Sequence, residues 1–142
     1  MNEMLDAKVR SFLAHKELDE FWQQKVVNSV RSIDVVFRTQ VDVQDVQLCQ
    51  LTPQQLWVNC EEEIDLPYAA SLEPTLSVQR LAPITVVEYQ GKHTIYMGSV
   101  RAVLFCRYQK IVDCIVVKLH TGHAAAFSDA AQKRLSDFDI YH

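Results

Sequence analysis

Glycine is scarce in this sequence, with three residues, and proline hardly commoner, with four, in a chain of 142. That scarcity excludes flexible linkers and low-complexity tracts, and a hydrophobic content of 49% is that of a compact globular protein with no disorder beyond its ends. An excess of basic charge is also missing. The formal net charge is −4 with acids and bases interspersed, which excludes a broad basic surface for the duplex phosphate backbone. No apolar run approaches the roughly 20 residues that span a bilayer, and the opening MNEMLDAKVRSF carries charges where a signal peptide needs an apolar core. The expectation is a soluble cytoplasmic protein with no membrane partner, folded as a single domain over residues 1–142.

Cysteine is sparse and unpatterned. Cys49, Cys60, Cys106 and Cys114 contain no C-x-x-C pair, and each is flanked by apolar or strand-like residues, so they read as small buried hydrophobes rather than as disulfides or zinc ligands. His120 and His123 form H-x-x-H, with His93 and His142 elsewhere, but zinc needs three or four converging groups and no metal site is expected. Ser99 has no G-x-S-x-G elbow around it, which argues against a hydrolase triad.

What is present is a clear succession of apolar periods. Leu5, Val9, Phe12 and Leu13 recur at helical spacing, and Leu18, Phe21, Trp22, Val26, Val27, Val30 and Ile33 continue it after a polar break, giving an N-terminal helical pair over residues 1–33. Residues 34–70 turn β-branched in DVVFR and DVQLCQL, which predicts two short strands with Val46, Leu48 and Gln50 on the face opposite Gln47, Cys49 and Leu51. Thr52-Pro53-Gln54-Gln55 has the residues of a capping box, predicting a helix from Pro53 to about Glu62, with Glu61, Glu62 and Glu63 as a solvated edge. Pro67 and Pro74 bracket a stretch read as irregular, and Thr75 to Leu81 reads as a short helix.

Residues 71–119 are the most legible part. Pro83 to Tyr89 and His93 to Met97 are strands joined by Gln90-Gly91-Lys92 as a hairpin. Gly98 opens a turn into an apolar helix from Ser99 to Tyr108, and Ile111 to Leu119 is a further strand. Residues 120–142 are expected to form a C-terminal helix from Ala124 to Leu135, with Phe127, Ala131, Leu135 and Phe138 inward, and a tail. The fold class is therefore α+β, a small mixed β-sheet with an N-terminal helical pair and a C-terminal helix.

The run from Leu76 to Val117 resembles the core shared by sulfiredoxins and the N-terminal domains of ParB-type partition proteins. In that family a Pro-Ile-x-Val strand, a returning hairpin strand, a glycine turn with arginine, a helix and an Ile/Val-rich strand follow one another. Here the corresponding residues are Pro83-Ile84-Thr85-Val86, Gly91, Ile95-Tyr96-Met97-Gly98-Ser99-Val100-Arg101 and Ile111 to Val117. The resemblance implies a nucleotide- or phosphate-binding regulator or accessory protein of a mobile genetic element, taking a nucleotide with magnesium. Gly98, Ser99, Val100 and Arg101 are its phosphate cradle, and a glycine turn entering a helix suits an anion on physical grounds as well. Ser99 stands where sulfiredoxins carry the catalytic cysteine, which removes the reductase chemistry. Val100, Val103 and Met97 replace polar or charged family residues, so catalysis is not expected. Residual nucleotide hydrolase or nuclease activity would have only Glu88 and Asp113 as metal ligands. Sequence-specific DNA binding is not expected either, because only about 23 residues follow Leu119 where partition proteins continue into a helix-turn-helix.

Two further surfaces bear on function. Arg80, Arg101, Arg107 and Lys110 fall within or beside the glycine turn and make a candidate basic face. The alternative to ligand binding is a catalytically inert protein-interaction module or homodimer, acting through the Phe12, Phe21 and Trp22 helical face or an exposed sheet edge.

Overall fold

The computed structural model describes residues 3–59, 64–120 and 131–141. Its helices are α1 (Glu3–Phe12), α2 (Glu20–Phe37), α3 (Leu66–Leu72) and α4 (Ser99–Gln109). Its strands are β1 (Val46–Leu51), β2 (Leu56–Asn59), β3 (Ile84–Tyr89), β4 (Lys92–Met97), β5 (Val112–Lys118) and β6 (Gln132–Arg134). The six strands form one mixed sheet in the order β1-β5-β3-β4-β2-β6. The α+β class is as expected from the sequence.

Alternation along the inner strands decides where the helices pack. Ile84 and Val86 of β3, with Val112, Cys114 and Val116 of β5, join Ala102 to Cys106 of α4 in one core, which Ala69 of α3 completes. Val87, Ile115 and Val117 point the other way and meet Leu5 and Val9 of α1 and Val27, Val30 and Ile33 of α2. Because side chains alternate with period two, one strand feeds both cores and the sheet lies between two helical layers. The four aliphatic side chains of β5 and Cys114 are nearly inaccessible, as an inner strand covered on both faces requires.

Across the sheet two hydrogen-bonded pairs tie α2 to β3 and β4. Ser29 Oγ donates to Thr85 Oγ1 at 2.8 Å in a fully buried contact, and Ser32 Oγ and Tyr96 hydroxyl lie 2.6 Å apart. Tyr96 is the extra residue of a bulge, since Thr85 pairs with Met97 but Val86 pairs with Ile95. The bulge lets Tyr96 turn toward α2, where its ring meets Phe37 at 5.8 Å.

Several expectations are corrected. DVVFR is not a strand: α2 continues through it to Phe37 and closes at Arg38, whose φ is 49°. Ile33 and Phe37, four residues apart, are buried while Val35 and Val36 face solvent, so the helical period wins over the strand preference of branched residues. The helix expected from Pro53 is absent over its described part. Gln55 does accept the Thr52 N–H through its side chain at 2.9 Å, but the turn delivers the chain into β2, parallel to β4 and antiparallel to β6. Leu56 and Val58 are buried on one face and Trp57 lies on the other; three apolar residues fit either period, and pairing with distant strands decides. Cys60 and Glu61 to Glu63 lie outside the described residues.

The proline-bracketed stretch contains α3, capped by Asp65, whose side chain accepts from the Tyr68 N–H at 3.0 Å, with Pro67 in the first turn. Between Thr75 and Leu81 only Val78–Arg80 is helical, as a single 3-10 turn. The expected C-terminal helix lies mostly outside the described residues. Its last part is instead β6 followed by a 3-10 turn at Leu135–Asp137, which buries Leu135. The hairpin, the Gly98 turn, α4 and β5 stand where expected, and β1 has the facing expected of it, since Val46 and Leu51 enter opposite cores. Among the described residues no helix is long and apolar enough to cross a membrane.

One polar cluster ties the layers at the start of β5. Lys16, in the α1–α2 connection, sets its ammonium 2.8 Å from the Asp113 carboxylate and 2.9 Å from the Val78 carbonyl. Gln50 of β1 and Gln109 of α4 donate to the other Asp113 oxygen at 2.9 and 3.2 Å. Burial alone would raise the Asp113 pKa, but the bonds from Lys16, Gln50 and Gln109 and the charge of Lys16 outweigh it, and the net shift is downward. A carboxyl depressed on folding adds stability that is complete above the unfolded value near 4 and is lost as pH falls through the lower folded value. Lys16→Met therefore removes about 2–3 kcal/mol in urea unfolding at neutral pH by leaving Asp113 charged and short of its partner. It also flattens the loss of stability below about pH 4 that the parent shows.

Candidate functional site

Gly98 holds φ at 106°, a left-handed conformation, at the point where β4 turns into α4. A Cβ there would sit 2.7 Å from Arg101 Nη2 and 2.9 Å from the Ile84 methyl, so glycine is required twice over, by backbone and by space. The first helical hydrogen bond runs from Ala102 N–H to the Gly98 carbonyl at 2.8 Å. The first-turn amides thus stand outside the ladder, at the positive end of the α4 dipole.

Arg101 folds back beneath this turn. Its Nη1 donates to the carbonyls of Ala82 and Pro83 at 3.2 and 2.9 Å, and its guanidinium carbon lies 5.3 Å from the Trp22 ring centre. Burial pulls its pKa down to about 10, which still leaves it a cation at neutral pH. Among the described residues Arg101 has no acidic partner. It is therefore a fixed positive charge in the wall of the site, with one nitrogen committed to carbonyls that anchor the chain ahead of β3.

Around the turn lies a cavity of about 420 Å³ between α2, α3 and the start of α4. Gly98, Ser99, Val100 and Arg101 all line it, so the four residues expected as a cradle are brought to one place. Leu72, Leu76, Leu81 and Leu104 make an apolar wall. Lys25, Arg80 and Arg101 supply three cations, and the described lining contains no carboxylate, histidine or cysteine. Lys25 Nζ rests 4.6 Å from the Trp22 ring. Arg80 makes a 3.7 Å contact with Glu17 in which both side chains are well exposed, a pairing of little strength.

Sequence reasoning missed three contributors to this cavity. Lys25, Trp22 and Tyr68 come from α2 and α3, far from the glycine turn in the chain, and Trp22 read only as part of a core stripe. The helical spacing of Phe21, Trp22 and Lys25 was the available signal, because it marks a mixed aromatic and cationic face.

The other candidates do not converge. Of the basic group, Arg80 and Arg101 meet at the cavity, whereas Arg107 is buried against Glu73 and the Ile140 carbonyl and Lys110 is exposed as the α4 C-cap. Glu88 pairs in register with Lys118, and Asp113 lies one residue before the Ile84–Cys114 pair. That offset of five positions is roughly 16 Å along the sheet, so the two acids do not share a metal. His120 lies 2.9 Å from Asp45, and His123 and His142 are outside the described residues. Among the described residues no cluster of three or more metal-ligating side chains occurs. Phe12, Phe21 and Trp22 do not form one face either: Phe12 and Trp22 pack on the core and only Phe21 is largely exposed. Cys106 and Cys114 are buried, and burial pushes the Cys106 thiol up to about 12, which suits an inert core residue.

No family model, curated protein or solved structure matches the chain.

Gly98→Ala tests the turn directly. The strained φ together with contacts under 3 Å to Arg101 and Ile84 should cost at least about 2 kcal/mol in urea unfolding. A loss below about 0.5 kcal/mol would mean that neither constraint holds.

Proposed function

We propose that this chain is a binding domain for an anionic ligand of nucleotide size, held in the cavity at the start of α4. The observation that carries the reading is the meeting of Lys25, Arg80 and Arg101, with no acid in the described lining, in a cavity of about 420 Å³ beside the N-terminal end of an eleven-residue helix. Cations at an amphipathic cavity favour a phosphate, and a helix start adds amides and a dipole of the same sign. The apolar wall and the Trp22 ring offer a flat or greasy surface for the remainder of the ligand. That volume lies within the range of small-molecule sites.

The reading is of a ParB and sulfiredoxin-like core that binds without turnover. The order of hairpin, glycine turn, helix and strand supports the resemblance. Ser99 at the position of the family's cysteine, and a described lining without a carboxylate, histidine or cysteine to act as a base, support binding alone. No carboxylate lines the described part of the cavity, so its residues do not fit a magnesium ion, which prefers carboxylate and phosphate oxygens. Neutralisation of the ligand falls to the three cations instead. Regulation or accessory service on a mobile element is the role the resembled family gives such domains.

Calorimetric titration with CTP, ATP and GTP tests the assignment. Saturable binding of at least one is expected, weakened about 5- to 20-fold by Lys25→Ala and by Arg80→Ala, in keeping with loss of one charge-assisted contact each. These two residues are chosen because Arg101 anchors the chain ahead of β3, and its removal would mix folding with binding. Absence of saturable binding by all three nucleotides up to about 1 mM would overturn the reading.

A further inference from the structure

The sheet brings two cysteines face to face. Cys49 on β1 and Cys114 on β5 are far apart in the chain, but the antiparallel register sets them directly opposite one another. Opposed residues of an antiparallel pair have their Cα atoms about 4.5 or 5.5 Å apart, according to the hydrogen-bonding type of the pair. Both values fall within the roughly 4.4–6.8 Å that a disulfide spans. The side chains share a face of the sheet: Cys114 belongs to the core that α4 covers, and Cys49 packs against that same core. Burial, with the charges of Asp113 and Cys49 behind it, pushes the Cys114 thiol up, so the two sulfurs sense each other across the strands. Both are free thiols. They differ in access. Cys114 is fully buried, as is Cys106, whereas Cys49 is half-buried and is the one cysteine among the described residues that solvent reaches.

We propose that Cys49 and Cys114 are a dithiol redox pair, closing to a cross-strand disulfide that staples β1 to β5 when a low-molecular-weight disulfide of the glutathione type is in excess. Cys49 gives up its proton and its thiolate attacks one sulfur of the reagent, forming a mixed disulfide and expelling a first thiolate, which takes up that proton. Cys114 needs no route to solvent for the second step. Its thiolate attacks the Cys49 sulfur from the neighbouring strand and expels the second reagent thiolate, which takes up the Cys114 proton. The two protein thiols thus lose two electrons and two protons, and one reagent disulfide gains them as two thiols. Cys106 cannot begin this sequence, because it is sealed in the core. Burial first, and the charge of Glu88 after it, hold the Cys49 thiol above its usual value, so the exchange is slow and the pair answers to a sustained redox poise rather than to a brief pulse. The bond falls beside the Gln50–Asp113 pair and so fixes the end of β1 that reaches the Lys16 cluster.

Equilibration of the full chain with graded mixtures of oxidised and reduced glutathione, followed by intact mass and peptide mapping of the alkylated product, tests the pair. The expected product is a single chain lighter by about 2 Da before alkylation, with a cross-linked peptide pair that carries Cys49 and Cys114. Cys114→Ala should stop at the mixed disulfide, heavier by about 300 Da on Cys49. Cys49→Ser, at a half-buried position, should keep the parent's circular-dichroism spectrum and form no internal disulfide. In urea the oxidised parent should unfold at a higher midpoint than the reduced one, because the bond restrains the unfolded chain, and dithiothreitol should reverse the shift. A parent that stays fully reduced in excess oxidised glutathione, or whose bond maps to Cys60 or Cys106, would overturn the assignment. So would a Cys49→Ser chain that forms an internal disulfide as readily as the parent, or an oxidised parent whose urea midpoint does not rise.

Discussion

A single lysine holds the helical layers in place around the sheet. Lys16 reaches from the α1–α2 connection to Asp113 on β5 and to the Val78 carbonyl ahead of β3. Through Asp113 it is joined to Gln50 on β1 and Gln109 on α4. Elements from both sides of the sheet thus meet at one carboxylate. With both side chains largely withdrawn from water, neither charge tolerates the loss of the other. The apolar cores supply most of the folding free energy, but apolar contact is non-directional and does not choose among neighbouring registers. The ion pair is directional. It brings the segment before β3, the edge strand and the end of α4 into one arrangement.

That arrangement sets up the cavity at the other helix terminus. With the segment ahead of β3 in place, the carbonyls of Ala82 and Pro83 are presented to Arg101, and the guanidinium turns under Gly98 rather than outward. Glycine, arginine and two carbonyls therefore depend on one another. The arginine does more than a surface phosphate contact would: it braces the turn and leaves a cation in the wall. Lys25 and Arg80 complete the positive lining from α2 and the Val78–Arg80 turn. A cavity so lined is positive in charge, and its described lining holds no carboxylate, histidine or cysteine.

The cavity and the edge strand lie apart in the fold. The cavity is built from α2, α3 and the start of α4, while β1 is the outermost strand at one end of the sheet. They are linked through β5, which pairs with β1 and receives the chain from α4.

How much was legible in the sequence follows from what local pattern can carry. The α1–α2 pair, the β3–β4 hairpin, the Gly98 turn, α4 and β5 have long or strongly punctuated periods, and the four residues of the expected cradle do line one cavity. Val35, Val36 and the residues after Pro53 were ambiguous because branched and apolar residues in short runs fit helix and strand alike. Burial of Ile33 and Phe37 four residues apart resolved the first. Pairing of Leu56 and Trp57 with β4, nearly forty residues on, resolved the second. The sequence by itself determined the class of fold and the glycine turn, since alternation, helical period and the need for positive φ are local properties of the chain. Only the tertiary structure decided that Arg101 faces two carbonyls, that Trp22 and Lys25 join the site, and that β1 is left at an edge. Those outcomes depend on which distant segments come together, and that is settled by packing and pairing across the whole sheet.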